Sequence, residues 1–289
     1  MEKIFKAIII ILFILVAAVF ASYVIPLPGQ EYVDRHMLAP AGGRFITIDE
    51  YETFIVDHGF GGGTFNWRYT LPALADAGYR AVAVDLKGFH VTEKGFDHDY
   101  SHPAQAAMVL GVMDQLGIDH AVLVGHSMGG NIVSHIALAY PNRVSKLVLV
   151  DASIVEQSQW TNEVGGTFLR FPPLKRWAQL IIRWIVTPEF FQESLERFYY
   201  DTSVMDQELV DQYIVPLKIK GWDIGLVRLL SDYHRNELPV PIDQLSVPTH
   251  IIWGEFDRAI PLQTGQEISN RISWAKFSII AKAGHIPME

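Results

Sequence analysis

The stretch AVLVGHSMGGN, residues 121–131, places a serine between glycines at the junction of two apolar patterns. A run of aliphatic residues precedes the serine, as in a strand buried within a parallel sheet, and apolar residues recur at helical spacing after it. Ser127 is therefore predicted to lie on a tight strand-to-helix turn. Such a turn strains the backbone, requires small neighbours at Gly125 and Gly129, and presents the hydroxyl above the sheet as a nucleophile.

The same alternation of strand and helix continues along the chain. The strand candidates are RFITI, TFIVD, RAVAVDL, HAVLVG, KLVLVD, THIIWG and KFSIIA. Helical spacing is found in TFNWRYTLPALADAG, PAQAAMVLGVMDQLG and MGGNIVSHIALAYP. Most of the strand candidates are continuously apolar, which indicates burial on both faces. The pattern predicts an α/β fold with a mostly parallel, doubly wound sheet.

Composition excludes several classes of function. The chain has 289 residues, a formal net charge of −9 and no clustered run of Lys and Arg after its first residues, so nucleic acid is not expected as a partner. It contains no cysteine, which excludes disulfides, thiolate zinc sites and a cysteine nucleophile. Its histidines are scattered without ligand spacing, so neither a metal nor another cofactor is expected. The oligomeric state stays open.

The N-terminal segment, residues 1–30, predicts a membrane anchor or a signal peptide. Residues 7–25 are uncharged and mostly apolar, which is nearly enough for a helix to cross a bilayer. Lysines precede this run and acidic residues follow it, so we expect the catalytic domain on the extracytoplasmic side. The alternative is cleavage ahead of Ser22, which gives a secreted or periplasmic protein.

The remaining chain divides into four parts by composition and periodicity. We expect a linker at 31–43, the first part of the core at 44–151, a helical cap at 152–241 and the second part of the core at 242–289. In the cap, one helical face carries Trp177, Leu180, Ile181 and Trp184. This face is expected to pack on the main domain, with lining of a substrate site or contact with a membrane as the alternatives.

The pattern Gly-x-Ser-x-Gly at residues 125–129 resembles the nucleophile elbow of the α/β-hydrolase superfamily. Upstream, VDHGFGGGTFNW resembles the oxyanion loop of that family, which implies an oxyanion hole formed by the backbone N–H groups of Phe60 and Met128. His58 is expected to order this loop. The glycines of the loop do not match a dinucleotide fingerprint or a phosphate-binding P-loop.

Two later segments match the family in the same chain order. THIIWGEFDRAIP resembles the segment that supplies the acid of the triad, which implies that role for Asp257, with Glu255 and Asp151 as nearby alternatives. Asp151 is interpreted as a hinge residue at the entry to the cap. FSIIAKAGHIPME resembles the segment that carries the general base, which implies that role for His285. His126, beside the nucleophile, is expected to point away from the active face.

The sequence departs from the family pattern at three places. The first β-hairpin is short, and His90 stands where relatives usually have glycine. The chain also ends four residues after His285, where relatives continue with a last helix, so a fragment is expected.

The resemblance implies a cofactor-independent serine hydrolase that cleaves small-molecule carboxylic esters through an acyl-enzyme, with lipid-like esters as one substrate class. A carbon–carbon bond hydrolase or another acyl-transfer enzyme fits the same motifs. A hypothesis of a different class is a ligand receptor without catalytic activity on the same fold.

Overall fold

A computed structural model describes residues 2–28, 32–39, 43–48, 51–56, 63–95, 97–156, 171–232 and 235–289. Within these ranges, the side chains of residues 2–9, 11, 12 and 51–56 lie outside the description. The described helices are α1 (Glu2–Val24), α2 (Arg35–Leu38), α3 (Thr70–Asp76), α4 (His102–Gln115), α5 (Met128–Ala139), α6 (Pro172–Ile185), α7 (Pro188–Phe198), α8 (Gln207–Ile214), α9 (Trp222–Asp232) and α10 (Leu262–Arg271).

The described strands form two sheets. β1 (Gly43–Ile48), β2 (Tyr51–Val56) and β3 (Ala83–Val84) pair antiparallel in the order β1-β2-β3. β4 (Ala121–His126), β5 (Val144–Val150), β6 (Thr249–Gly254) and β7 (Lys276–Ile280) form a parallel sheet in the order β4-β5-β6-β7. Every strand candidate of the sequence contains a strand, although RAVAVDL keeps only two residues of regular pairing.

One face of the parallel sheet supports the main core. Helix α5 packs on β4 and β5, α10 packs on β6, and α4 lies against α5. The fully buried side chains of this core include Leu147, Leu149, Ile251 and Trp253. The prediction that the strands are buried on both faces is wrong for β4, because Val122 and Val124 are 44% and 39% exposed.

Buried hydrogen bonds join the helix that follows the serine to distant segments. The Asn131 amide lies 2.6 Å from His102 Nδ1 and donates to the carbonyl of Asn236 at 2.7 Å, while its oxygen accepts from Val155 N–H. Burial first, and then the charge of His135, lower the pKa of His102 to about 4. A neutral His102 is what allows its ring nitrogen to accept from the amide. This network fixes α5 relative to α4 and to the start of the cap.

The cap helix α6 turns its polar face inward, whereas its apolar face was expected to pack on the main domain. Its buried side chains include Gln179 and Arg183, both of which donate to Asp223 of α9 at 2.9 and 2.8 Å. An unpaired buried charge is costly, so this ion pair fixes the polar face inward. Trp184 and Ile181 are consequently 81% and 52% exposed. The apolar face therefore does not pack on the main domain.

Helix α1 contacts α6 through its last turns. The Trp177 indole donates to the Ala18 carbonyl at 3.2 Å, and the Arg176 guanidinium donates to the carbonyls of Ser22 and Ile25. The bonds from Arg176 supply donors to carbonyls at the end of α1, where the helix itself offers none. Among the residues whose side chains are described, no helix combines the length and the apolar character of a membrane span.

The depressed pKa of His102 predicts a loss of stability in acid. Unfolded histidine binds a proton near pH 6.5, whereas His102 in the folded protein resists protonation down to about pH 4. The unfolded state then binds more protons in this window, so the free energy of unfolding decreases as the pH is lowered, by up to about 3 kcal/mol from this group. Urea titrations between pH 7.5 and 4.5 measure this decrease in the free energy of unfolding.

The variant His102→Gln is expected to show a shallower pH dependence of the unfolding free energy than the parent. The matched control is His120→Gln, since His120 is exposed; it should follow the parent. Equal slopes for His102→Gln and the parent would show that His102 is not held neutral by the fold.

Candidate active site

Ser127 occupies a strained turn between β4 and α5. Its φ is +51°, in the region that favours glycine. Three backbone hydrogen bonds hold this conformation: Ser127 N–H donates to the Val150 carbonyl at 3.0 Å, and the Ser127 carbonyl accepts from Gly130 and Ser153 N–H, each at 2.9 Å. The predicted turn therefore has the strain expected of it, and neighbouring segments stabilise it.

The steric demand for small residues is met differently from the prediction. A Cβ on Gly125 would collide with the backbone of Gly129 and with Val133, so glycine is required there. A Cβ on Gly129 would meet no described atom within 4 Å, whereas one on Gly130 would collide with Ala152. The second constraint thus falls one residue later than expected, where α5 crosses the start of the cap.

The structure brings Ser127, His285 and Asp257 together. Ser127 Oγ lies 3.0 Å from His285 Nε2, and His285 Nδ1 lies 2.8 Å from Asp257 Oδ2. His285 and Asp257 are both buried. The alternative acid Glu255 is exposed and accepts from Lys282 N–H instead. These contacts are those of a nucleophile, a base and an orienting acid.

Hydrogen bonds keep Asp257 ionised despite its burial. Burial would raise the pKa of this carboxyl, but the hydrogen bond with His285 and the N–H of Ile260 outweigh it, so the pKa lies below its ordinary value. Asp257 Oδ1 accepts from Ala259 and Ile260 N–H at 2.7 and 2.9 Å, which leaves Oδ2 for His285. The carboxylate is thus fixed in position and in charge.

A close approach of three backbone segments positions His285. A Cβ on Gly254, at the end of β6, would collide with the carbonyl of Gly284, and one on Gly284 would collide with the carbonyl of Phe198 at the end of α7. His285 N–H donates to that same Phe198 carbonyl at 2.8 Å. The cap therefore contacts the backbone of the histidine directly.

The predicted oxyanion hole is described only in part. Met128 is the first residue of α5, so its N–H has no acceptor within the helix. Phe60 and His58 lie outside the described residues. Downstream of them, Thr64 N–H donates to Asp85 at 3.0 Å, and Asp85 in turn lies 3.1 Å from His90 Nδ1. His90 has φ +33°, which explains the glycine preference expected at its position.

His126 is closer to the site than expected. Its Nε2 lies 2.6 Å from the carbonyl of His285, and the two rings are 4.8 Å apart, so the expectation that it points away is wrong. Burial first, and then the neighbouring His285, lower the pKa of His126 to about 4. Because a carbonyl only accepts, Nε2 of the neutral ring carries the proton. The alternation of side chains along β4 was a usable signal of this position, because it places His126 on the face of the strand opposite to the one on which Gly125 lies.

Asp151 also lies at the site and is more than a hinge. It is fully buried directly after β5, with φ +42°, and Gly254 N–H donates to its Oδ1 at 2.9 Å. Burial first, and then the neighbouring Asp257, raise the pKa of Asp151 to about 9. Its place after the strand next to β4 was the sequence signal for this proximity.

Asp151, Asp257 and His285 form a group of possible metal ligands within the described part of the chain, with one donor atom of each within 4.8 Å of the others. Asp257 and His285 are joined by a direct hydrogen bond at 2.8 Å. A metal ion between them would have to replace that bond. The donor set therefore fits a hydrogen-bonded relay better than a cation site.

Comparison with known proteins agrees with this geometry. The family model for the alpha/beta hydrolase fold matches residues 52–289. A 2-hydroxy-6-oxononadienedioate/2-hydroxy-6-oxononatrienedioate hydrolase of Paraburkholderia phymatum is 30% identical over 283 residues, which cover 93% of this chain and 90% of that protein. The uncharacterized hydrolase YugF of Bacillus subtilis is 29% identical over 238 residues, covering 82% and 85%.

Among solved structures, a meta-cleavage product hydrolase from Pseudomonas fluorescens superimposes with a TM-score of 0.68 and 25% identity, covering 86% of this chain and 92% of that one. The match to the family model extends over most of the chain and includes the strand-to-helix turn at Ser127. The chain therefore belongs to the α/β hydrolase family and is a hydrolase.

Proposed function

We propose that the protein is a serine hydrolase that cleaves carboxylic esters through an acyl-enzyme. The observation that carries this proposal is the continuous contact from Ser127 Oγ to His285 at 3.0 Å and from His285 to Asp257 at 2.8 Å. All three groups lie within hydrogen-bond reach, as nucleophilic catalysis by serine requires.

In this mechanism His285 Nε2 takes the proton of Ser127 Oγ as the oxygen attacks the acyl carbon. Asp257 stabilises the imidazolium, and the Met128 N–H donates to the oxyanion, together with the Phe60 N–H that the family resemblance implies. His285 then gives the proton to the departing alcohol oxygen. A water attacks the acyl-enzyme, His285 takes its proton and returns it to Ser127, and the acid leaves.

Apolar side chains favour an ester with an apolar acyl part. The Phe198 ring lies 5.4 Å from the ring of His285, and Ile286 belongs to a buried cluster with Phe65 and Leu195. Nearby, Arg68 is bound to Glu289 at 2.7 Å, so its charge is already neutralised. The surroundings of His285 thus offer apolar contacts and a paired arginine, which favours a neutral acyl chain over a carboxylate.

A second candidate is hydrolysis of a carbon–carbon bond in a 2-hydroxy-6-oxo dienedioate. Its support is the name of the Paraburkholderia relative, which is similar to this chain over nearly its whole length. The same serine, histidine and acid would serve, but a substrate with two carboxylates needs cationic partners. The two candidates thus differ in the charge that the pocket must accept.

Direct assay of both substrate classes tests the proposal. We expect the parent protein to hydrolyse nitrophenyl esters of medium chain length faster than 2-hydroxy-6-oxononadienedioate. Ser127→Ala should lower kcat by at least about a thousandfold, because the nucleophile is lost. Initial rates by absorbance over a series of acyl lengths give kcat/KM for each.

Glu255→Gln is the matched control, since this exposed carboxylate lies two residues from Asp257 and should leave the rates unchanged. Faster turnover of the dienedioate would favour the carbon–carbon hydrolase. Equal rates for the parent and Ser127→Ala would contradict both candidates and favour a receptor.

We also propose that the protein is held at a membrane, with its catalytic domain on the extracytoplasmic side. Two features support membrane contact: α1 exposes apolar side chains on consecutive positions, among them Phe13 and Ile14, and α6, which contacts α1, exposes Trp184. An amphipathic helix such as α6 can lie in the membrane interface without crossing the bilayer. In that arrangement, residues of α6 contact lipid headgroups.

The chain has no cysteine, so a single introduced cysteine can report on this contact. We expect a polarity-sensitive dye on Trp184→Cys to shift to the blue in phosphatidylcholine and phosphatidylglycerol vesicles, and to be quenched by nitroxide lipid. A dye on Glu267→Cys, exposed on α10, should do neither. Identical spectra at both positions would contradict membrane contact of α6.

A further inference from the structure

Asp151 is a buried acid that the mechanism above does not use. It has no exposed surface and directly follows β5, the strand paired with β4. One of its carboxylate oxygens, one of Asp257 and a ring nitrogen of His285 lie within 4.8 Å of one another. Two carboxyl groups therefore face one buried imidazole.

The two oxygens of Asp151 have different surroundings. Oδ1 accepts the Gly254 N–H at 2.9 Å. Oδ2 is buried and has no hydrogen-bond partner among the described residues. An ionised carboxylate with an unsatisfied buried oxygen beside a second carboxylate would be strongly unfavourable. A protonated carboxyl removes the repulsion, and its O–H becomes a donor that requires an acceptor.

The acceptor that this cluster offers is Asp257, one oxygen of which lies within 4.8 Å of an oxygen of Asp151. Its Oδ1 is occupied by two backbone N–H groups and its Oδ2 by His285, yet each carboxylate oxygen can accept a second hydrogen bond. Contacts at catalytic sites are often long in the free protein and tighten in the complex with substrate. A shorter distance between the carboxyl groups of Asp151 and Asp257 in the substrate complex would therefore act on the oxygen that orients His285.

We propose that Asp151 is a positioning residue: its carboxyl stays protonated and donates a hydrogen bond to Asp257, which holds that carboxylate against His285. The inference rests on the serine hydrolase mechanism for its catalytic consequence, but not for the proton itself. Besides Asp257 and His285, His126 is a titratable group of the described structure that contacts this cluster, through the His285 carbonyl.

The proton can be observed without any assay of activity. The infrared difference spectrum between the parent and Asp151→Asn at pH 7 should contain the C=O band of a protonated carboxylic acid. The band should disappear as the pH is raised through about 9, where Asp151 ionises. Absence of the band at pH 7 would overturn the proposal, whatever the enzyme hydrolyses.

Kinetics then test the positioning role. The Asn amide retains an N–H donor, so Asp151→Asn should keep kcat within about threefold of the parent, whereas Asp151→Ala should lower kcat by at least about tenfold with little change in KM. The parent should change in activity near pH 9, and Asp151→Asn should not. Glu255→Gln should match the parent throughout.

Thermal unfolding of each variant separates folding defects from positioning. If Asp151→Ala is unfolded, the positioning role is decided by comparing the activities of the parent and Asp151→Asn across the alkaline pH range. An equal alkaline transition in both proteins, or equal loss of kcat in Asp151→Asn and Asp151→Ala, would overturn the positioning role. If neither the parent nor any variant hydrolyses an ester or the dienedioate, the proposed function is contradicted. The infrared band still decides whether Asp151 is protonated.

Discussion

The hydrogen bonds around the backbone of Ser127 are the constraint on which the site depends. A non-glycine residue at positive φ costs about 1–3 kcal/mol and persists only where its surroundings fix it. Here the bonds come from three places: the end of β5, the first turn of α5, and Ser153 at the start of the cap. The strain therefore couples the nucleophile to both the sheet and the cap.

Parallel pairing brings the other groups to the same edge. His126 is in register with Val150, Val150 with Ile252, and Gly254 with Ile280, so β4, β5, β6 and β7 end together. Loops after the carboxyl ends of parallel strands meet in one crevice. Asp257 and His285 follow β6 and β7 within a few residues, which explains how groups more than a hundred residues from the serine converge on it.

Much of this arrangement could be predicted from the sequence, because short apolar runs and glycine-bounded turns are local signals. The strands, α4, α5 and the turn at Ser127 follow from such signals, whereas the grouping of the serine with His285 and Asp257 is implied by the family resemblance of their motifs. The orientation of α6 could not be predicted, since periodicity defines an apolar stripe but not its partner. The buried pair of Arg183 with Asp223 is formed across the cap and reverses the expected face. For His126 and Asp151, the sequence indicates only that they lie at the ends of neighbouring strands, and their actual contacts depend on strand register.

The electrostatic setting of the site follows from which groups lose their charge. Burial lowers the pKa of His126 and raises that of Asp151, so both are neutral near pH 7, while hydrogen bonds preserve the charge of Asp257. In a medium of low dielectric, neutral neighbours do not compete for the field of the remaining carboxylate. In the proposed mechanism, Asp257 then acts on the imidazole of His285 with little opposition and stabilises the cation that forms when this ring takes the proton of Ser127. In the proposed mechanism, the neutral state of His126 and Asp151 therefore leaves the field of Asp257 on His285 unopposed.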